Sequence, residues 1–190
     1  MKIYKHKNYQ DYRKAQVATY QRKRDLVWVT NQELAACTQL IYKHTDGLVF
    51  TGICHGVRTG YEVDYFQNEF DETAYIEGTE IAESRSDRII QMDFHDIPDE
   101  WENKYDFIYS NSFDHSHMPK KCLNRWMFSL NPTGVCLIHW MQTNVKVNNA
   151  SDCFSASLNE YRHLIKKKCG FQLVEEASVV KGRVILAIKK

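Results

Sequence analysis

The fold is decided by the stretch Gly47-Leu48-Val49-Phe50-Thr51-Gly52-Ile53-Cys54-His55-Gly56-Val57-Arg58-Thr59-Gly60. Its apolar first half, residues 47–54, reads as a strand buried on both faces. The run breaks at Gly56, and a helix is predicted from about Thr59 to Phe66. Gly56 lets the backbone approach a ligand, and Gly60 permits close packing where the helix starts. The free N–H groups of that start favour a carboxylate or phosphate. Strand, glycine turn and helix together open a parallel α/β sheet.

The same alternation continues downstream. Strands are predicted over residues 74–80, 88–93, 105–110 and 134–140, with helices over 120–130 and 158–168, the second ended by Gly170. Two tail strands, 171–177 and 183–189, flank Lys181-Gly182, a connection so short that they must run antiparallel. Upstream, residues 9–24 form a weakly amphipathic pattern with Tyr12, Ala15, Val17, Ala18 and Tyr20 apolar. Thr30-Asn31-Gln32-Glu33 is a capping box that opens a helix to about Tyr42. The chain therefore reads as one domain over 1–190, with a helical segment at 1–45 and the sheet at 46–190.

Size and composition agree with this. From 190 residues and 22.4 kDa, surface scaling gives about 9,400 Å² exposed when folded against roughly 32,000 Å² unfolded, enough burial for a real core. A hydrophobic content of 43% with 3 Pro and 8 Gly excludes disordered and collagen-like classes. Mean hydropathy is −0.53, and no apolar run approaches 18 residues, so a soluble, cytoplasmic protein is expected. Six scattered cysteines without a C-x-x-C pair argue for reduced, buried thiols. Residues 1–24 carry eight Lys or Arg against Asp11, whereas 61–104 carry fourteen Asp or Glu against three basic residues. These are either two solvated faces that attract each other or a basic lip for an anionic substrate.

The chemistry-bearing residues end strands. Glu80 stands twenty residues past Gly60, the spacing at which a carboxylate accepts both hydroxyls of a ribose. Asp93 and Phe94 end the third predicted strand and offer an acceptor beside a flat apolar wall, which suits an adenine ring. Asp93 equally suits a turn cap.

In this order, together with Tyr105-Asp106-Phe107-Ile108-Tyr109-Ser110-Asn111 and the turn Leu130-Asn131-Pro132-Thr133-Gly134, the residues resemble the class I S-adenosylmethionine-dependent methyltransferases over about 46–190. The resemblance implies a three-layer, Rossmann-like sheet of seven strands, mostly parallel with an antiparallel last strand, under a short N-terminal helical lid. It implies S-adenosyl-L-methionine as cofactor, S-adenosyl-L-homocysteine as product, and cofactor contacts at His55, Gly56, Arg58, Gly60, Glu80, Asp93, Phe94 and Ser110. The chain departs from the family pattern at Cys54, where an acidic residue is usual, and at Arg58, where a middle glycine is usual. An arginine there has the geometry to clamp the methionine carboxylate.

The loop Ser110-Asn111-Ser112-Phe113-Asp114-His115-Ser116-His117 concentrates proton-accepting groups where the family places its methyl acceptor. Asp114 and His115 are the candidate catalytic base, and His117 and His139 the candidate substrate contacts. Histidines at i, i+2 in a loop are no ligand signature, so no metal is expected; the alternative is a cation held by Asp114, His117 and His139. The leading expectation is O-methylation of a sugar, glycan or other small molecule. A nucleic-acid acceptor is disfavoured, since Ser-Asn-Ser-Phe stands where amino-methylating DNA enzymes carry Asn/Asp-Pro-Pro-Tyr. A non-catalytic binding module of the same fold is the runner-up. A nicotinamide enzyme is weaker, because the third glycine of G-x-G-x-x-G is missing.

Overall fold

Alternating side-chain direction along each predicted strand builds a two-faced sheet. The computed structural model describes residues 1–70, 72–84 and 86–190. Its elements are β1 (Lys2–Ile3), α1 (Tyr9–Lys23), α2 (Asn31–His44), β2 (Thr51–His55), α3 (Tyr61–Glu69), β3 (Tyr75–Glu80) and β4 (Ile89–Gln91). They continue with β5 (Tyr105–Ser110), α4 (Pro119–Ser129), β6 (Leu130–Met141), β7 (Phe154–Ser155), α5 (Leu158–His163), β8 (Gln172–Ala177) and β9 (Arg183–Lys189). A π-helical turn over Leu164–Cys169 prolongs α5.

Seven strands join in the order β4-β3-β2-β5-β6-β9-β8, with β9 antiparallel to both neighbours and the pairs from β4 to β6 parallel. On one face Cys54, Phe107, Tyr109, Val135 and Leu137 pack under Leu34, Cys37 and Ile41 of α2 and Val63 and Phe66 of α3. On the other, Ile53, Ile108, Cys136 and Ile138 meet Leu123 and Trp126 of α4 and Tyr161 of α5. The expected three layers are thus present, and the exposed surface is 9445 Å². Five of the six free cysteines are buried. No helix among the described residues is long and apolar enough to cross a membrane.

Three local expectations need correction. The first sheet strand begins at Thr51 rather than Gly47, because Gly47 has φ +76° and Leu48 and Phe50 stand out into solvent. Leu130–Gly134 is the irregular start of β6 rather than a turn before it: its register slips opposite Tyr105 and Phe107, and Asn131 Oδ1 accepts the Thr133 N–H. In α1 the buried residues are Tyr12, Gln16 and Thr19, not the alanines and Val17, because this helix covers a polar site instead of the core. The Asn8 side chain caps it. Unforeseen from the sequence, β1 pairs antiparallel with β7 and stitches the chain's start to residues 154–155.

Candidate active site

Chain order reverses at β2: β3 and β4 extend to one side, β5 and β6 to the other. Ligands of such sheets bind beyond the strand ends at this switch point. Two adjoining cavities lie there. The first, small at about 50 Å³, is floored by Gly56, Glu80, Asp93 and Phe94 and roofed by Tyr12, Gln16 and Thr19 of α1. The second, about 230 Å³, takes in Trp28, Asp114, Asn144, Asp152 and Arg183. Arg58, Ser112 and His115 line both.

In the first cavity Glu80 is held by backbone donors. Its Oε2 accepts the Arg58 N–H (2.8 Å), and Oε1 accepts the N–H groups of Ile81 (2.9 Å) and Ala82 (3.4 Å). Burial pushes this carboxyl up, and those three N–H groups oppose the shift. Asp93 begins a buried chain: its Oδ1 accepts from His95 Nδ1 (2.5 Å), and His95 Nε2 shares a hydrogen bond with Ser116 Oγ (2.7 Å). Burial pushes the Asp93 carboxyl up, but His95 outweighs it and holds the group below the usual range. Oδ1 also takes the His95 N–H, so the turn-cap role is filled as well. The other oxygen, Oδ2, is buried and makes no well-formed hydrogen bond, with the Tyr9 hydroxyl near enough to help hold the carboxyl down. Phe94 stands beside it, edge-on to Trp126.

The glycines act as spacers. Gly56 has φ +72°, and a Cβ there would fall 2.7 Å from the Ser112 Cβ. Ser112 Oγ donates to the Gly56 carbonyl, locking the β2 and β5 turns together. Gly60, at φ +93°, would strike Ile89 with any Cβ; its role is packing, and it lies outside both cavity linings. Arg58, at φ +49°, occupies the left-handed region that its family position normally fills with glycine. Its guanidinium donates to the Leu26 carbonyl (2.6 Å), tying the α1–α2 connection to the wall between the cavities.

His55 and Ser110 lie behind the site rather than in it. His55 is fully buried, stacks on Trp126 with centroids 4.6 Å apart, and is held at about 3 by burial. Ser110 Oγ donates to the His55 carbonyl. His139 is likewise withdrawn from the acceptor side: it is 4% exposed and packs between Cys37, Glu33 and Tyr109. His117 leans on Tyr12, 4.0 Å between centroids, and borders neither cavity. Neither histidine borders the two cavities, because β6 and the post-β5 turn direct their rings into packing.

Asp114 and His115 do meet in the second cavity. Asp114 is 8% exposed, pushed up by burial, and its Oδ2 accepts from Asn144 (2.6 Å). His115 Nδ1 meets Gln16 Oε1 at 3.0 Å, and its Nε2 lies 3.6 Å from Asp152 Oδ1. Gln16, Asn144 and Asp152 escaped the sequence reading. Asn144 and Asp152 sit in a polar stretch without periodicity, and Gln16 lies on a helix whose buried face is polar.

This architecture recurs in known proteins. A Burkholderia thailandensis 1,6-didemethyltoxoflavin-N1-methyltransferase, solved with 1,6-didemethyltoxoflavin and S-adenosylhomocysteine, superposes at a TM-score of 0.74 and 16% identity over 96% of this chain and 88% of that one. The fold is that of the class I methyltransferases. A Haloferax volcanii methyltransferase solved with its Trm112 activator (TM-score 0.68, 14% identity, 96% and 97% covered) shares this methyltransferase fold. So does an Aquifex aeolicus S-adenosylmethionine-dependent methyltransferase (0.63, 14%, 96% and 98%). Other matched structures of the fold include a carbon methyltransferase, an O-methyltransferase and a [4+2]-cyclase. No family profile and no curated protein matches the sequence.

Proposed function

We propose that this chain is an S-adenosylmethionine-dependent methyltransferase that methylates a hydroxyl of a sugar, glycan or other small molecule. The observation that carries it is the shared wall: Arg58, Ser112 and His115 face both cavities, so a ligand in each would meet at the Asp114–His115 turn. The side chains lining the first cavity suit the cofactor's adenosine end, and α1 would have to lift to admit it. The buried Asp93 Oδ2 is an acceptor for an exocyclic amino group, Phe94 gives the ring a flat wall, and Glu80 retains acceptor capacity for ribose hydroxyls. Arg58 borders both cavities and would take the methionine carboxylate on turning from the Leu26 carbonyl. The cofactor supplies an electrophilic methyl on sulfur. The chain's own residues hold the acceptor oxygen in line with it and take its proton at the Asp114–His115 turn.

Calorimetric titration with S-adenosylmethionine, followed by intact-mass screening of small glycans and metabolites for a gain of one methyl, tests this reading. Saturable binding and a methylated hydroxyl are expected. Absence of binding at millimolar cofactor overturns it, and methyl gain on nitrogen or carbon corrects the acceptor class. Binding without turnover on any acceptor would favour a non-catalytic module.

A further inference from the structure

We propose that His95 is a positioning residue of the cofactor site: it holds one oxygen of Asp93 so that the other is presented to the exocyclic amino group of an adenine ring. The proposal rests on the methyltransferase reading above and adds to it a residue that acts through Asp93.

His95 lies two residues past Asp93, and the turn between them brings both donors of the histidine onto one atom. Asp93 Oδ1 accepts the His95 backbone N–H (3.0 Å) and the ring Nδ1–H (2.5 Å). The two carboxylate oxygens are thereby given different tasks. Oδ1 is committed to the protein, and Oδ2 is the oxygen without a well-formed bond in a residue that borders the first cavity. The donor beside this carboxyl is the Tyr9 hydroxyl, which belongs to α1. That helix must rise to admit a nucleoside, so Tyr9 leaves with it while His95, anchored on the sheet side, remains.

The imidazole cannot turn away. It is 1% exposed and enclosed by Phe94 (4.8 Å between centroids), His117 (4.4 Å) and, edge-on, Tyr12 (5.8 Å). Its far nitrogen, Nε2, shares a hydrogen bond with Ser116 Oγ (2.7 Å), and Ser116 Oγ in turn accepts the Met118 N–H (3.3 Å) where α4 begins. The ring is therefore bonded at both nitrogens, between the turn after β4 and the start of α4. Other buried histidines differ: His55, His117 and His139 each leave one ring nitrogen without a hydrogen bond among the described residues. A ring with no free edge has no proton chemistry to offer a ligand, and its role is orientation.

Orientation matters here because an aromatic amino group is a weak donor. An ionised acceptor, fixed in place before the ligand arrives, takes such a donor in a charge-assisted bond at little reorganisation cost. A purine without the amino group would leave the buried Oδ2 unpaired, which is the costly case. His95 should thus set how strongly the site prefers adenine.

The test is calorimetric titration with S-adenosylhomocysteine and with its counterpart whose purine lacks the amino group. Wild type should prefer the amino-bearing ligand by about tenfold or more. His95→Leu should lower its affinity roughly tenfold while changing that of the desamino ligand by less than about twofold. His95→Asn, whose amide N–H can reach Oδ1 in place of Nδ1–H, should recover most of the loss. Ser116→Ala should cost about two- to tenfold, again on the amino-bearing ligand alone. In an Asp93→Ala background, His95→Leu should have no further effect beyond about twofold. If His95→Leu loses its circular-dichroism signature, Ser116→Ala carries the comparison on the same two ligands. Equal losses for both ligands in a folded variant overturn the proposal, since a purely structural role predicts them. Wild-type binding without preference for the amino group overturns it too, and leaves the methyltransferase reading standing. Wild-type binding of neither ligand at millimolar concentration removes that reading and the proposal with it.

Discussion

The two cavities are built on different principles. In the first, the polar groups sit at the ends of successive strands, and Glu80 is fixed by main-chain N–H groups that the fold itself delivers. In the second, Asp114, His115 and Asp152 are fixed by side-chain amides from three separate segments, residues 16, 144 and 149. A backbone-held site is as rigid as its sheet and tolerates side-chain variation around it. A carboxamide-held site is specified residue by residue, so single substitutions can retune it without disturbing the fold. That contrast matches a conserved architecture serving many acceptors, as the range of matched structures with this fold illustrates.

Substitutions at the turn should give the largest effect. Asp114→Asn and His115→Ala are expected to lower turnover by roughly 10²- to 10⁴-fold while leaving S-adenosylmethionine affinity within about twofold. Equal losses in both would mean the cavities are not functionally separable. Next comes Glu62, which lies outside both cavity linings. Glu62 is buried, accepts from Asn111 Nδ2, and is pushed up to about 7 by burial. In the unfolded chain it titrates near 4.3, so the folded state binds more protons between those values. Its contribution to stability is full below that range and lost as pH rises through 7. Urea midpoints of Glu62→Gln and wild type should therefore diverge by about 3 kcal/mol between pH 4.5 and 8, in favour of the variant at high pH. A constant difference would refute the buried-carboxylate picture.

Glu80→Ala should weaken cofactor binding by about 1 to 3 kcal/mol, roughly five- to 150-fold, without unfolding the protein. Unaltered cofactor affinity would remove Glu80 from the ribose role. Smallest of the four, Gly56→Ala should destabilise by about 1 to 2 kcal/mol, because alanine is strained at φ +72° and its Cβ meets Ser112. That corresponds to a fall of roughly 2 to 8 °C in Tm by scanning calorimetry.

The same contrast explains what was legible in the sequence. Residues 51–55, 105–110 and 183–189 announce themselves because burial on both faces favours apolar runs, and strand ends fix the positions of Glu80 and Asp93. The antiparallel β8–β9 pair followed from its short connection, whereas the sheet order left no local pattern in the chain. His55, Ser110, His117 and His139 were placed correctly along the chain, yet a side chain's direction at a strand end depends on its neighbours, and these four turn inward. The β1–β7 pair is too short to leave a pattern. Gln16 and Asp152 lie far apart in sequence, and their meeting exists only once α1 has docked.

That docking sets an order of events. α1 roofs the first cavity while Gln16, midway along it, is fastened to residues 150 and 151 and to His115 of the second. On the proposed reading, lifting the helix to admit a nucleoside-sized ligand would pull the amide off the imidazole, and lowering it would restore the contact. The acceptor side would then be complete only after the roof had closed. Steady-state kinetics should follow a compulsory sequence, cofactor on first and S-adenosylhomocysteine off last. The spent product would then inhibit competitively against S-adenosylmethionine and noncompetitively against the acceptor.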